Sequence, residues 1–235
     1  MTENRSDQIQ QVYNMRIGLF GGTFDPIHIG HLRAASEVRE GFDLDQIFFI
    51  PAASPPHKTF GRVTDAADRL KMVELSVSDH SGFTVLDVEL KRSGPSYTID
   101  TIYHLKKSQS KNCEIFFILG LDAFLEIDTW KSYQELLKQV AFIVITRPIL
   151  DGKDLSSSWK MLEDFLKSKI SDDYKFCDSS FCFRHSKARP IYIFNVTSLD
   201  ISATRIRELV NKGASISFLV TEKVENYIKT RGLYL

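Results

Sequence analysis

Apolar residues follow two alternating patterns along this chain. Short, mostly apolar runs predict buried strands, whereas apolar residues spaced three and four apart predict amphipathic helices. The predicted strands begin at residue 15 and at 46–50, 83–90, 114–119, 141–146 and 191–196, and the predicted helices cover 30–41, 66–78, 132–138 and 221–230, with two more opening near Ser96 and Ser202. Because strands and helices alternate, we predict an α/β fold: a Rossmann-like, doubly wound parallel sheet flanked by helices in a single domain.

Two segments depart from this alternation. Residues 1–14 are polar and are interpreted as an N-terminal extension. Between about 149 and 189 the pattern gives way to Ser-rich and aromatic pieces, with helical spacing only at 159–170. We interpret 149–189 as an insertion that carries one helix, within a domain covering 15–235. A lid, an interface and a surface elaboration all remain open as its role.

The first strand runs into a glycine turn and then a helix with two histidines. Gly21 and Gly22 let the backbone approach a ligand closely. If the helix begins near residue 29, His28 and His31 lie on one side of its first turn, beside backbone N–H groups that favour anions. A lone histidine is more often structural, but two at this spacing favour phosphate binding. The spacing matches neither G-x-G-x-x-G nor a Walker loop.

Polar residues also follow later strands, at the edge where open parallel sheets bind ligands. His57 and Lys58 lie in a proline-rich loop after the second strand and can contact phosphate. Ser202 is a candidate N-cap, and it brings hydroxyls, including that of Thr204, close to the Arg207 guanidinium. Such a helix start is a candidate triphosphate site.

Two further helix starts carry candidate binding groups. Ser96 is a candidate N-cap for the helix within 92–102, which makes a second anion pocket. Trp130 lies at a helix start and not within an apolar stripe, which suits ring stacking. Core packing is the more frequent role for such a tryptophan on pattern alone.

Charge and cysteine content limit the classes of partner. Lys+Arg and Asp+Glu are both 30, so no basic surplus drives nucleic-acid or membrane binding, and we expect small-molecule partners, no nucleic acid and no membrane. Residues 1–14 lack the apolar core of a signal peptide, and no run approaches the roughly 18 residues of a membrane span. We therefore expect a cytoplasmic protein.

The three cysteines argue against a disulfide framework, because they form no C-x-x-C pair and their number is odd. Cys177, Cys182 and His185 could supply three zinc ligands, but no fourth ligand is apparent nearby. We therefore predict no protein-borne metal site.

The ten residues from Gly22 to His31 read G-T-F-D-P-I-H-I-G-H. This segment resembles the nucleotidylyltransferase superfamily, whose signature is G-x-F-D-x-x-H-x-G-H, and the match is complete. Further blocks resemble one branch, the bacterial nicotinate-nucleotide adenylyltransferases. They are residues 21–32, 51–58, 94–102, 120–122, 129–130, 147–148 and 201–207.

The resemblance implies an activity: joining nicotinate mononucleotide to ATP, giving nicotinate adenine dinucleotide and pyrophosphate on the way to NAD. Mg²⁺ would arrive with ATP, held largely by phosphates and water. His28, His31 and Arg207 are the implied catalytic residues. The implied ATP-binding residues are Gly21, Gly22, Thr23, Phe24, His28, His31, Ser202, Thr204 and Arg207, and those for nicotinate mononucleotide are His57, Lys58, Tyr97, Thr98, Asp122, Trp130 and Lys131.

The resemblance also implies individual roles. His31 would act on the α-phosphate and His28 on the outer phosphates, while Ser202, Thr204 and Arg207 would hold the β/γ end. Asp122 would bind a ribose hydroxyl. The pyridine ring would stack on Trp130, and its carboxylate would accept backbone N–H groups around Thr98 and at the start of the Trp130 helix.

One position departs from the family pattern, and other functions remain open. Ala203 stands where the family usually has Ser, which affects one hydroxyl contact. The alternatives are another nucleotidylyltransferase, such as a phosphopantetheine adenylyltransferase or a cytidylyltransferase, and a non-catalytic nucleotide sensor. A class I aminoacyl-tRNA synthetase fragment is remote, since no K-M-S-K-S-like loop is evident. The oligomeric state cannot be read from the sequence.

Overall fold

Up to residue 165, strands alternate with helical segments along the chain as predicted. The computed structural model describes residues 15–53, 63–92, 94–108, 113–146 and 155–235. Within these ranges the strands are β1 (Met15–Gly22), β2 (Gln46–Pro51), β3 (Phe83–Val85), β4 (Cys113–Gly120), β5 (Ala141–Thr146), β6 (Lys175–Cys177), β7 (Cys182–His185) and β8 (Ala188–Asn195). The helices are α1 (Ile29–Gly41), α2 (Ala66–Val77), α3 (Thr98–Ser108), α4 (Leu121–Phe124), α5 (Tyr133–Gln139), α6 (Leu155–Phe165), α7 (Ala203–Asn211) and α8 (Glu222–Arg231).

The strands form one sheet in the order β3-β2-β1-β4-β5-β8-β7-β6. All neighbours from β3 to β8 are parallel, and the β8–β7 and β7–β6 pairs are antiparallel. The chain continues from β1 toward β3 on one side and returns to the other side of β1 as β4. In open α/β sheets a ligand crevice forms at such a switch point, outside the carboxyl ends of the strands. The predicted fold class is confirmed.

Helices cover both faces of the sheet, so successive side chains of a strand enter two different cores. In β1, Ile17 and Leu19 belong to a buried cluster that includes Ile102 of α3. Phe20 belongs to a second cluster, with Met72 of α2. This double burial explains why the central strands are almost continuously apolar in sequence.

The third strand is shorter than predicted. The alternating segment 83–90 pairs with β2 only at Phe83–Val85, and one further bond joins Leu86 N–H to the Phe49 carbonyl at 2.9 Å. The chain then turns, with Leu90 N–H donating to the Asp87 carbonyl at 3.0 Å. The prediction was wrong beyond residue 86 because these apolar residues pack around a turn and not along the ladder.

The segment after β5 contains more structure than the single helix that we predicted. Helix α6 ends in a π-helical turn, Leu166–Ile170, and strands β6 and β7 then extend the sheet beyond β8. The Trp159 ring of α6 packs on Phe176 and Phe183 of these strands, with centroid separations of 4.9 and 5.7 Å. The sequence missed β6 and β7 because both are short, at three and four residues. That 149–189 is an insertion stays a prediction, and the N-terminal extension lies outside the described residues.

Of the two helix caps predicted at Ser202 and Ser96, the first is present and the second is different. Ser202 accepts Arg205 N–H at 3.1 Å. Ser96 does not begin α3, whose first residue is Thr98; its hydroxyl accepts Ala53 N–H at 2.9 Å instead. Ser96 therefore joins the start of α3 to the end of β2.

Candidate active site

A cavity of about 1180 Å³ lies at the carboxyl ends of the central strands, where the sheet order predicts a ligand crevice. Its walls come from the β1–α1 loop, the ends of β2, β4 and β5, the start of α3, the segment around Trp130 and helix α6. It brings together most of the predicted site residues in the described part of the chain. Those in its wall are Gly21, Gly22, Thr23, Phe24, His31, Tyr97, Thr98, Asp122, Trp130 and Lys131.

The glycine turn is shaped by the phenylalanine that follows it. Phe24 has a positive φ of 48° and is 3% exposed. Its ring folds back over Gly22, where an added Cβ would lie 2.8 Å from the ring. A side chain at position 22 would therefore displace Phe24. The next residue, Asp25, is 5% exposed and its carboxylate accepts from Tyr234 Oη at 2.8 Å.

His31 faces the cavity from the first turn of α1, and its ring is held on several sides. Phe24 approaches edge-on with centroids 5.2 Å apart, and the His28 ring stacks on it at 3.7 Å. The His31 Nδ1 atom accepts the backbone N–H of His28 at 3.2 Å. Because a neutral imidazole carries one proton, this bond places it on Nε2. His31 is thus oriented as a hydrogen-bond donor.

His28 occupies a different environment from His31. It is 3% exposed and does not line the cavity, so it lies behind the His31 ring. An added Cβ at Gly30 would come within 3.1 Å of His28 Nδ1, so the glycine between the histidines leaves room for this stack. The structure therefore places only His31 of the pair at the cavity wall.

Residues 22–31, which carry the signature sequence, are called the signature loop below. The residues of α7 that were predicted to bind the triphosphate lie next to this loop but outside the cavity wall. Arg207 donates from Nη1 to the Asp25 carbonyl at 2.7 Å and from Nη2 to Thr204 Oγ1 at 3.2 Å. Ser202 and Thr204 are exposed at the start of the helix. Arg207 thus joins α7 to the loop, close to a helix N-terminus of the kind that favours anions.

Trp130 and its neighbours form another part of the cavity wall. Trp130 is half-buried, with its ring edge-on to Phe117 at 6.2 Å, and it lines the cavity. It therefore has both a packing contact and a face toward the cavity. Trp130 lies between a 3₁₀ turn, Ile127–Thr129, and α5, which begins at Tyr133.

Lys131 and Asp122 are both exposed in this wall. The Lys131 ammonium lies 3.1 Å from Asp100 Oδ2 and 4.5 Å from the centroid of the Tyr97 ring. Asp122 follows Gly120, where an added Cβ would lie 2.4 Å from the Asp122 carboxylate. Glycine at 120 thus allows the carboxylate to fold back against the end of β4.

His57 and Lys58 lie outside the described residues, as do residues 147–148. Their predicted contacts with phosphate stay predictions. Within the described ranges, no group of three or more His, Cys, Asp or Glu side chains is arranged to hold a metal ion. Nor is any described helix long and apolar enough to cross a membrane.

Sequence reasoning missed a buried arginine beneath the signature loop. Arg69 of α2 is 1% exposed and donates to the carbonyls of Thr23 at 2.7 Å, Ala53 at 3.2 Å and Thr64 at 2.9 Å. Burial lowers the pKa of Arg69, and the nearby Asp25 carboxylate opposes that shift. The available signal was an arginine on the same helical face as Met72 and Val73, since charged groups enter a core only when partnered.

Sequence reasoning also missed polar groups in the part of the cavity wall around α3 and Trp130. Glu89 and Thr101 line the cavity although they are 8% and 1% exposed. Ser157, Ser158 and Met161 of α6 line it as well. No local pattern marks these residues, because distant segments bring them to the cavity.

Comparisons with known proteins identify the family. A profile of the Cytidylyltransferase-like family matches residues 19–209. The chain is 47% identical to a protein of Desulfatibacillum aliphaticivorans over 94% of this chain and 100% of that one, and 41% identical to a protein of Geobacter sp. (strain M21) over 94% and 99%. Both are named probable nicotinate-nucleotide adenylyltransferases.

Solved structures agree on the fold. Plasmodium falciparum nicotinic acid mononucleotide adenylyltransferase complexed with NaAD matches with a TM-score of 0.68 at 21% identity, over 94% of this chain and 97% of that one. The same enzyme complexed with APC matches with a TM-score of 0.66. The predicted resemblance is confirmed. The chain belongs to the cytidylyltransferase-like family and, within it, to the nicotinate-nucleotide adenylyltransferases.

Proposed function

We propose that this protein transfers the AMP moiety of ATP to nicotinate mononucleotide, forming nicotinate adenine dinucleotide and pyrophosphate in NAD biosynthesis. The observation that carries the proposal is one cavity that is lined both by the glycine–histidine loop and by Thr98 and Trp130. A phosphate-binding loop and a ring-stacking wall in one cavity suit two nucleotides. The names of the relatives support the same reaction.

The chemistry requires no protein base. The phosphate of a mononucleotide has a second pKa near 6 and is mostly a dianion at pH 7. One of its oxygens attacks the α-phosphorus of ATP, and the bond from that phosphorus to the bridging oxygen of pyrophosphate breaks. What the protein must supply is alignment and stabilisation of charge on the phosphoryl oxygens.

The geometry of the signature loop supports the roles that we propose for the ATP side. His31 donates from Nε2 to the α-phosphate, where charge builds up during transfer, and the backbone of Gly21 and Gly22 lies alongside it. Arg207, with the hydroxyls of Ser202 and Thr204, holds the outer phosphates. His28 supports the His31 ring from behind, and its own contact with the outer phosphates would require its buried ring to turn outward.

The acceptor, nicotinate mononucleotide, uses the part of the cavity wall around Thr98, Asp122 and Trp130, which we call the acceptor wall. The pyridine ring stacks on Trp130, and its carboxylate accepts N–H groups at the start of α3, at Thr98, where a helix N-terminus favours an anion. Asp122 binds a ribose hydroxyl, with Tyr97 and Lys131 beside it. His57 and Lys58 are assigned to the mononucleotide phosphate from the sequence motif alone.

Mg²⁺ enters with ATP as part of the substrate. The metal is carried by phosphate oxygens and water, as is usual for Mg²⁺ bound to nucleotides. The metal would neutralise part of the negative charge on the triphosphate, and His31 and Arg207 would neutralise more of it. We propose that the protein acts in the cytoplasm on these two nucleotides.

The test is pyrophosphate release with ATP and Mg²⁺, with nicotinate mononucleotide, nicotinamide mononucleotide and 4′-phosphopantetheine compared as acceptors. We expect turnover to be best with nicotinate mononucleotide and absent when EDTA removes Mg²⁺. Turnover only with 4′-phosphopantetheine would transfer the protein to a sister activity. No turnover with any acceptor, while ATP still binds, would favour a nucleotide sensor.

A further inference from the structure

A hydrogen-bonded bridge of three side chains lies in and behind the acceptor wall. The Thr101 hydroxyl donates to Glu89 Oε1 at 2.8 Å, and Arg92 Nη2 donates to Thr101 Oγ1 at 2.7 Å. The direction of both hydrogen bonds follows from the groups involved. A guanidinium can only donate, so Thr101 accepts from Arg92 and its single hydroxyl proton goes to Glu89. Thr101 therefore joins a carboxylate to a cation.

The two ends of the bridge differ in their access to the cavity. Glu89 and Thr101 line it, whereas Arg92 does not. Glu89 is only 8% exposed, so water screens its charge poorly. Without a nearby cation, this carboxylate would repel an anionic group in the cavity. Arg92 provides that cation from behind the wall.

The other charged groups that the described part of the chain places in this wall are either paired or exposed to solvent. The Lys131 ammonium forms an ion pair with Asp100 at 3.1 Å, and both side chains are about half exposed. Asp122 is exposed to solvent, which screens its charge. The buried charge balance of the wall therefore depends on Glu89 and Arg92.

The bridge also lies next to the proposed carboxylate site. Thr98 and Thr101 are three residues apart on α3, so they lie on the same side of its first turn. Nicotinate and nicotinamide mononucleotides share the phosphate, the ribose and the ring, and they differ by one negative charge on the ring substituent. A change in the electrostatic field at this wall therefore changes the preference of the protein between the acid and the amide mononucleotide.

We propose that the Arg92–Thr101–Glu89 bridge is a specificity determinant: Arg92 balances the Glu89 carboxylate so that the cavity accepts the acid mononucleotide in preference to the amide. The inference rests on the proposed function and deepens it. None of the three side chains needs to take part in the chemical step.

The experiment compares kcat/KM and Kd for the two mononucleotides in wild type, Arg92→Gln, Glu89→Gln and the double variant. Arg92→Gln leaves the Glu89 charge without its balancing cation and lowers the acid-to-amide ratio about tenfold. A tenfold change in an equilibrium corresponds to an interaction energy of one pKa unit. Glu89→Gln keeps or raises the ratio. The double variant, neutral at both positions, returns the ratio to near that of wild type.

Two conservative variants test the bridging hydroxyl. Thr101→Ser keeps the hydroxyl and preserves the ratio, whereas Thr101→Val removes it at similar volume and lowers the ratio. Arg16→Gln is the matched control, because Arg16 lies at the start of β1, away from the carboxyl ends, in an exposed pair with Glu114. It leaves the ratio unchanged. If Arg92→Gln fails to fold by circular dichroism, the Thr101 pair and Glu89→Gln still decide the question.

The two proposals fail in different ways. If wild type turns over but Arg92→Gln weakens both mononucleotides equally, or the double variant does not restore the ratio, the bridge is structural and the inference is overturned. If wild type releases no pyrophosphate but the Kd ratio changes as expected, the proposed function fails and the inference stands. Binding of neither mononucleotide overturns both.

Discussion

His28 and His31 lie three positions apart and yet have different environments. His28 is 3% exposed, while His31 lines the cavity with its Nδ1 atom occupied by a backbone N–H. The difference arises because α1 begins at Ile29 and the His28 ring packs beneath that of His31. The bond to Nδ1 determines which nitrogen of His31 can donate to a substrate.

Replacing His31 with alanine removes this donor. We expect His31→Ala to lower kcat by about 10²- to 10³-fold, as for loss of one donor to a transition-state oxygen, with a smaller effect on KM for ATP. The measurement is steady-state pyrophosphate release with both substrates varied. His104→Ala, at an exposed position on α3, is the control. An unchanged kcat would remove His31 from the mechanism.

Helices α2 and α7 hold the active-site loops in place through side-chain contacts. Arg69 joins three carbonyls from the β1–α1 loop, the end of β2 and the segment before α2. Arg207 joins α7 to the Asp25 carbonyl. The glycine turn is therefore held between α2 and α7, which explains how a loop with a strained Phe24 keeps one conformation.

Substitution of Arg69 tests this support. Arg69→Lys keeps the charge but cannot reproduce three bonds from a planar guanidinium. We expect a loss of about 2–4 kcal/mol in the free energy of unfolding, and a larger loss for Arg69→Met, which leaves buried carbonyls without donors. Urea unfolding measures the loss, with Arg33→Lys on the exposed side of α1 as the control. Equal stability of Arg69→Lys and the control would contradict the argument.

A residue near the C-terminal end of the chain contacts the signature loop, which lies near the start of the described chain. The Tyr234 hydroxyl donates to Asp25 Oδ1 at 2.8 Å across 209 positions. Burial, with the Asp25 carboxylate beside it, raises the pKa of Tyr234. The signature loop thus contacts elements from several parts of the chain.

This contact predicts a dependence of stability on alkaline pH. The folded protein binds the phenolic proton more tightly than the unfolded chain, whose tyrosines titrate near pH 10. The resulting stability is fully present below about pH 10 and is lost as pH rises above that value toward the folded pKa. Tyr234→Phe lowers the free energy of unfolding by about 1–2 kcal/mol at pH 7 through the lost hydrogen bond.

Tyr234→Phe also makes the loss of stability above pH 10 less steep. Urea unfolding from pH 7 to 11 measures both effects, with Tyr103→Phe, at an exposed position, as the control. Burial also raises the pKa of Tyr174, Tyr192 and Tyr227, so some alkaline destabilisation remains in the variant. Identical slopes in wild type and Tyr234→Phe would contradict the prediction.

Features that depend on local signals could be predicted from the sequence. Periodicity predicted the strands of the parallel sheet and helices such as α1 and α2, and side-chain chemistry predicted the cap at Ser202. The glycine–histidine loop and its resemblance to a family were also legible, since the whole signature lies within ten consecutive residues. For these features the residues of a segment are enough to predict its structure, because the interactions involved are local.

The contacts between distant side chains became known only from the folded structure. In that structure His28 lies behind His31, the chain turns after Leu86 so that Glu89 reaches the cavity wall, and β6 and β7 extend the sheet. It also brought Arg69 to Thr23 across 46 positions. Such contacts depend on how the helices pack on the sheet, and no short window of sequence contains both partners.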